Sequence, residues 1–369
     1  IGLEYDDEDG NQREQGVNAL GQWMERLVET DRPFEHSLAW FWHDHFAVSY
    51  SVVNYLPVLL AHLDLLRDTA LGDFRQLIRD VTTDAAMLIF LDGTTSTGEA
   101  PNENYGRELL ELYTMGIGNY TEDDVQAAAI ALTGWVVARR RNDEVYFVES
   151  RHDPTSQTFL GRSGISGVDA VVDQAVDHPA SPGFIATKLA RHFLGPVDQS
   201  TIATLAGAFV GAELSVAPLA RAVLEAGLDG AGGPQVTAPV PWLISALKAT
   251  GSSLPSRAAL GLLNQMGQVP ANPPNVGGFP GEQTWLASSA TAGRFTAANL
   301  VARTTPAGAP ALEAAATRDY DALADLLLRP GGFSDSTIVA LDDLSHAAAP
   351  RRGEAVLGVA LASPDVLIR

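Results

Sequence analysis

Apolar residues return every three or four positions along most of this chain and alternate in only one short stretch. Leu20, Trp23, Met24, Leu27 and Val28 fall at i, i+3, i+4, i+7 and i+8, the spacing of one helix face. The same period predicts helices over about 35–46, 54–68 and 72–91, and again through about 169–226, 242–250, 256–266, 284–328, 333–346 and 351–362. Alternation is confined to Trp135-Val136-Val137-Ala138 and Val145-Tyr146-Phe147-Val148, which read as one small β-hairpin over about 135–148 around the charged turn Arg139 to Asp143. The predicted fold is therefore mainly α, a multi-helix, bundle-like globular body carrying one hairpin. No repeat of about 20–50 residues is visible, so a solenoid is not indicated.

Punctuation divides this pattern. The stretch 227–241 is rich in Gly, Pro and Ala and reads as a linker between helical subdomains 13–226 and 242–369 of a single domain, 13–369. Pro270 to Gly281 sets four Pro and three Gly among twelve residues. A loop of that composition holds a fixed irregular path and is the kind of segment that builds sites. Asn102 can cap a helix running to Gly116, which suits the C′ position, and Thr121 with Asp124 is spaced as a capping box.

Composition narrows the function. The 369 residues include 24 Lys+Arg against 45 Asp+Glu, a net charge of −21, and no Cys. A disulfide framework, a thiolate zinc site and a Cys nucleophile are excluded. So strong an acidity disfavours nucleic acid and anionic lipid as partners, since both require a basic surface. Arg139-Arg140-Arg141 is the single run of three positive charges and the one candidate local basic patch. No apolar run is long enough to span a membrane. The chain opens on Ile1-Gly2-Leu3-Glu4 with neither Met nor signal peptide, and so reads as a trimmed or processed product. Phosphate-loop, dinucleotide, zincin and nucleophile-elbow signatures are missing.

Three segments carry chemistry. Glu103, Arg107 and Glu111 lie four apart, with Asn104 and Glu108 beside them. That spacing suits either a solvated face laced by ion pairs or a carboxylate pair set up for acid–base work or a metal. In Trp42-His43-Asp44-His45-Phe46, two His two residues apart point about 200° away from each other in a helix, so only a terminal or extended conformation would let both hold one divalent ion. His45 otherwise reads as a core histidine on an aromatic stripe. His152-Asp153-Pro154 leaves the hairpin at a strand-to-loop exit; such a pair orients a tautomer for base catalysis, supplies metal ligands or caps a turn.

These segments, with Asn102 to Gly116, Tyr120 to Val125, Leu132-Thr133-Gly134-Trp135, Phe159-Leu160-Gly161, Phe184 to Leu189, Pro273 to Gly281 with Trp285, and Leu361-Ala362-Ser363-Pro364-Asp365, follow the order of one family. The chain resembles the large bacterial family catalogued as domain of unknown function 1800, from about residue 20 to its C-terminus. Relative to that family the N-terminal opening looks truncated, Thr155-Ser156-Gln157 stands where a Lys is usual, and Gly278-Phe279 replaces the usual Gly-Trp. The resemblance implies export, to the cell envelope or beyond, and no settled activity.

The expectation is a secreted or envelope enzyme of hydrolase or lyase type acting on an extracellular polymer. Its site would join Glu103, Arg107, Glu108, Glu111, His152 and Asp153 with a metal at His43 and His45 and a substrate loop at Asn275, Gly277 and Gly278. The rival is a non-catalytic envelope or assembly protein whose polar motifs are buried packing networks.

Overall fold

The computed structural model describes residues 12–138, 144–345 and 351–369. The body is mainly α, as the period requires. The predicted hairpin pairs β1 (Trp135–Ala138) with β2 (Glu144–Phe147), antiparallel, with Trp135 opposite Phe147. Its tip, Arg139-Arg140-Arg141 included, lies outside the described residues. A second hairpin joins β3 (Gln157–Phe159) to β4 (Arg162–Ile165), strands too short for alternation to reveal them. Leu160 at φ 49° and Gly161 at φ 76° make its two-residue turn, both left-handed as a twisted hairpin needs.

The chain divides into two compact units. The first comprises Phe34–Gly233 and Ala271–Gly278; the second takes the described part of Gly2–Pro33, with Pro234–Pro270 and Phe279–Arg369. The change at Gly233 falls inside the stretch 227–241, but two segments depart from a simple division into 13–226 and 242–369. The helix Gln12–Glu29 belongs to the second unit, where Gly21 lies so close to Ser256 that an added Cβ would come within 2.0 Å of its Oγ. The segment Ala271–Gly278 belongs to the first unit. Composition marks a flexible or rigid stretch, but not which surface that stretch packs on.

The core of the first unit centres on Trp42, wholly buried, stacked with Phe46 at 5.5 Å and Phe74 at 5.9 Å, its indole N–H donating to the Ala70 carbonyl at 2.9 Å. In the second unit Trp242 takes that role, donating to the Leu361 carbonyl at 3.1 Å. Burying rings of this size supplies most of the apolar driving force, and each indole donor is satisfied as burial demands.

Candidate functional site

The helix Glu122–Ala131 starts on the expected capping box, Thr121 with Asp124, and runs into Thr133-Gly134. Thr133 is fully buried; its hydroxyl donates to the Ile130 carbonyl at 2.8 Å and accepts from the Asp153 amide at 2.9 Å. His152 Nδ1 stands 3.0 Å from the Thr133 carbonyl and 3.2 Å from its hydroxyl. A carbonyl only accepts, so Nδ1 carries the hydrogen, and in the uncharged tautomer that this fixes, Nε2 is the acceptor. Two glycines make the approach possible. Gly134, at φ 101°, has no room for a Cβ, which would meet the Phe147 ring at 2.8 Å and His152 Cβ at 3.0 Å. Gly98 donates its amide to the Arg151 carbonyl at 2.8 Å and lies against Asp153.

Thr97, Gly98, Glu99 and the run Ser150 to Pro154 line an open cleft of about 460 Å³. That is ligand-sized. Within it Asp153 accepts from the Thr155 amide at 2.8 Å, and bonding to Thr155 holds its carboxyl below the usual range. Asp153 therefore caps a turn and stays ionised, while Nε2 of His152 makes no hydrogen bond among the described residues.

The carboxylate helix is broken in two. Residues Glu103–Glu108 are α, but Leu109–Thr114 are a π-helix, so Glu111 sits on a differently wound turn from Glu103 and Arg107. Arg107 accordingly bonds Glu122 at 2.7 Å through both terminal nitrogens and Glu103 at 3.3 Å, whereas Glu111 accepts from the Tyr120 hydroxyl at 2.7 Å. The expected stripe of Glu103, Arg107 and Glu111 thus has two sets of partners, Glu103 and Glu122 around Arg107 and Tyr120 on Glu111. Between them Glu108 is half-buried and makes no side-chain hydrogen bond; burial, then the charge of Glu111, raises its pKa.

The π-helix ends with unsatisfied carbonyls, and side chains from elsewhere in the unit take them. His45 Nε2 donates to the Tyr113 carbonyl at 3.1 Å and Lys188 Nζ to that of Leu112 at 3.3 Å. His45 is enclosed by Phe41, Trp42, Phe46, Tyr113 and Phe184; burial first, and Lys188 second, hold its pKa well below the ordinary imidazole value. Lys188 is itself lowered to about 8 by burial. His43, on the same helix Pro33–His45, uses Nε2 to accept the Ala271 amide at 3.0 Å, and burial lowers it to about 3.

Ala271 sits at φ 56°, held on its other side by the Tyr50 amide at 2.8 Å. Asn275 Oδ1 accepts from the Gly277 amide at 2.9 Å, closing a tight turn, and Gly278 at φ 90° passes so close to Asp44 that a Cβ would lie 2.5 Å from its carboxylate. Of the residues expected to form the substrate loop, only Gly278 is buried, packed against Asp44, while Asn275 and Gly277 are exposed and close the turn between them. The expected metal pair is corrected as well: His43 and His45 diverge to separate partners, as helix geometry demands. Among the described residues no group of three or more His, Asp or Glu could hold an ion. His152 and Asp153 share no hydrogen bond or ion pair with Glu103, Glu108, Glu111, His43 or His45.

One comparison bears on all of these segments. The model of the family described as protein of unknown function, DUF1800, matches residues 5–368. The chain belongs to that family. No curated protein and no solved structure matches it. In this DUF1800 protein the sequence motifs thus resolve into a cleft at His152 and a buried network at His45. Sequence reasoning missed Thr133, Gly98, Arg151 and Lys188. Thr133 and Lys188 stand inside quoted motifs, but nothing in their spacing reveals a bond to residues far along the chain.

Proposed function

We propose that this protein is an acid–base enzyme of the hydrolase or lyase type, exported and acting on an extracellular polymer, with His152 as its base. The observation that carries the reading is the fixed tautomer: Nδ1–H is committed to the Thr133 carbonyl, which leaves Nε2 as the acceptor of a residue that lines a ligand-sized cleft. A base oriented by a second group, beside room for substrate, is the minimum that proton abstraction requires. Thr133, Gly134 and Gly98 are positioning residues that act through His152 and Asp153. Glu99 and Asp153 supply carboxylates in the same cleft. Export rests on the family resemblance alone.

The test is a panel of polysaccharide, ester and peptide polymers assayed with the native protein and with His152→Gln. Turnover of one class, lost in the variant while its melting temperature stays within a few degrees, is expected. A variant that retains turnover would overturn the assignment. The rival reading, buried polar packing, is favoured for the His43–His45 segment, where both rings are enclosed and each is bonded to backbone.

A further inference from the structure

Arg151 stands beside His152 and is not used by that reading. One terminal nitrogen donates to the Thr94 carbonyl at 2.9 Å, and its backbone carbonyl accepts from Gly98 at 2.8 Å, so the side chain is anchored at both ends. Nε is buried, but the second terminal nitrogen is neither buried nor bonded within the described residues, and no carboxylate of those residues comes within 4.0 Å of the guanidinium. That is a fixed cationic fork with unspent donors, in a protein with 45 acidic side chains. It lines the same cleft as His152.

We propose that Arg151 binds a substrate carboxylate and that the substrate is an acidic polysaccharide, a chain of uronate sugars, cleaved by β-elimination. This rests on His152 being the base. A planar guanidinium matches a carboxylate through paired N–H donors, and neutralising that carboxylate makes the adjacent C–H easier to ionise. His152 Nε2 takes the proton from the carbon bearing the carboxylate. The C–H pair becomes the new C=C bond, and the bond from the next carbon to the glycosidic oxygen breaks with its electrons passing to oxygen. The imidazolium returns its proton to that oxygen, so the base is regenerated, no water is consumed, and one product end is an unsaturated acid.

The surrounding charge has a kinetic consequence. A net charge of −21, with Glu99 and the ionised Asp153 in the cleft itself, repels a polyanion, and Arg151 offsets that repulsion only for the carboxylate it contacts. Screening, with a Debye length of about 10 Å at 0.1 M salt, should therefore speed association, the reverse of a basic binder.

The experiment measures binding and ultraviolet absorbance of the unsaturated product with oligogalacturonate and a neutral oligogalactan of equal length. Native protein should bind the uronate at least about tenfold more tightly, a difference of about 1.4 kcal/mol. Arg151→Met should abolish that preference and Arg151→Lys restore part of it, while His152→Gln should bind normally and form no unsaturated product. Equal binding of charged and neutral oligomers overturns the substrate class and leaves His152 as base untouched. Full elimination by His152→Gln overturns the base assignment, and the Arg151 preference is then read from binding alone. Uronate cleavage without an unsaturated end shows hydrolysis and overturns the elimination.

Discussion

His45 and His152 are both histidines flanked by Asp, and both bond a backbone carbonyl, but the two neighbourhoods differ in what the second ring nitrogen meets. His45 is 3% exposed; its Nε2 donates to Tyr113 and its Nδ1 is buried without a partner amid aromatic rings. His152 is half-buried; its Nδ1 donates to Thr133, its Nε2 has no hydrogen bond among the described residues, and the residue lines a cleft. The first ring closes the end of a π-helix; the second is oriented with one nitrogen left for a ligand. Residue type and local spacing are nearly the same, so exposure of one nitrogen separates architecture from chemistry.

The largest expected difference is in stability. His45→Ala removes a buried ring and leaves the Tyr113 carbonyl unpaired, and should cost about 2–4 kcal/mol. His152→Gln should cost under about 1 kcal/mol. Urea denaturation measures both, and equal losses would erase the distinction.

Glycines give the next comparison. Gly134→Ala and Gly278→Ala each force a side chain into a left-handed, crowded position and should each destabilise by about 1–3 kcal/mol. Only Gly134→Ala should also disturb the ring of His152, visible as a changed imidazole NMR signal.

Acid provides a third. An unfolded imidazole takes up its proton near 6.5, whereas burial holds His43 uncharged down to about 3 and His45 well below its ordinary value. Across that window the unfolded chain binds more protons, so stability falls as pH drops from about 6.5 toward 3. Denaturation midpoints between neutral and mildly acid pH should show this slope, and it should flatten in a His43→Gln protein that still folds.

The smallest effects belong to the carboxylate helix. Arg107→Ala breaks exposed ion pairs and should cost no more than about 1 kcal/mol. Glu108 has a raised pKa, so its folded form disfavours the ionised carboxylate and its contribution is lost as pH rises through that pKa. Glu108→Gln should therefore stabilise the protein slightly at neutral pH and not in acid, which paired thermal melts would register.

Periodicity and cap spacing determined that the chain is helical, that Trp135–Ala138 and Glu144–Phe147 pair as strands, and that Thr121 and Asp124 open a helix, because these depend on neighbours within one turn or one pleat. The motifs also marked which residues to watch: His152, the Trp42 to Phe46 segment and the loop after Pro270. Tertiary structure decided what each one does. Arg107 turned to Glu122 and Glu111 to Tyr120, partners that lie beyond their own helix, and the Ala271–Gly278 segment joined the first unit rather than its chain neighbours. Thr133 fixed the His152 tautomer from nineteen residues away. Hydrogen bonds between residues distant in sequence, and the burial that makes them matter, leave no period in the chain; they exist only once the helices within a unit have packed.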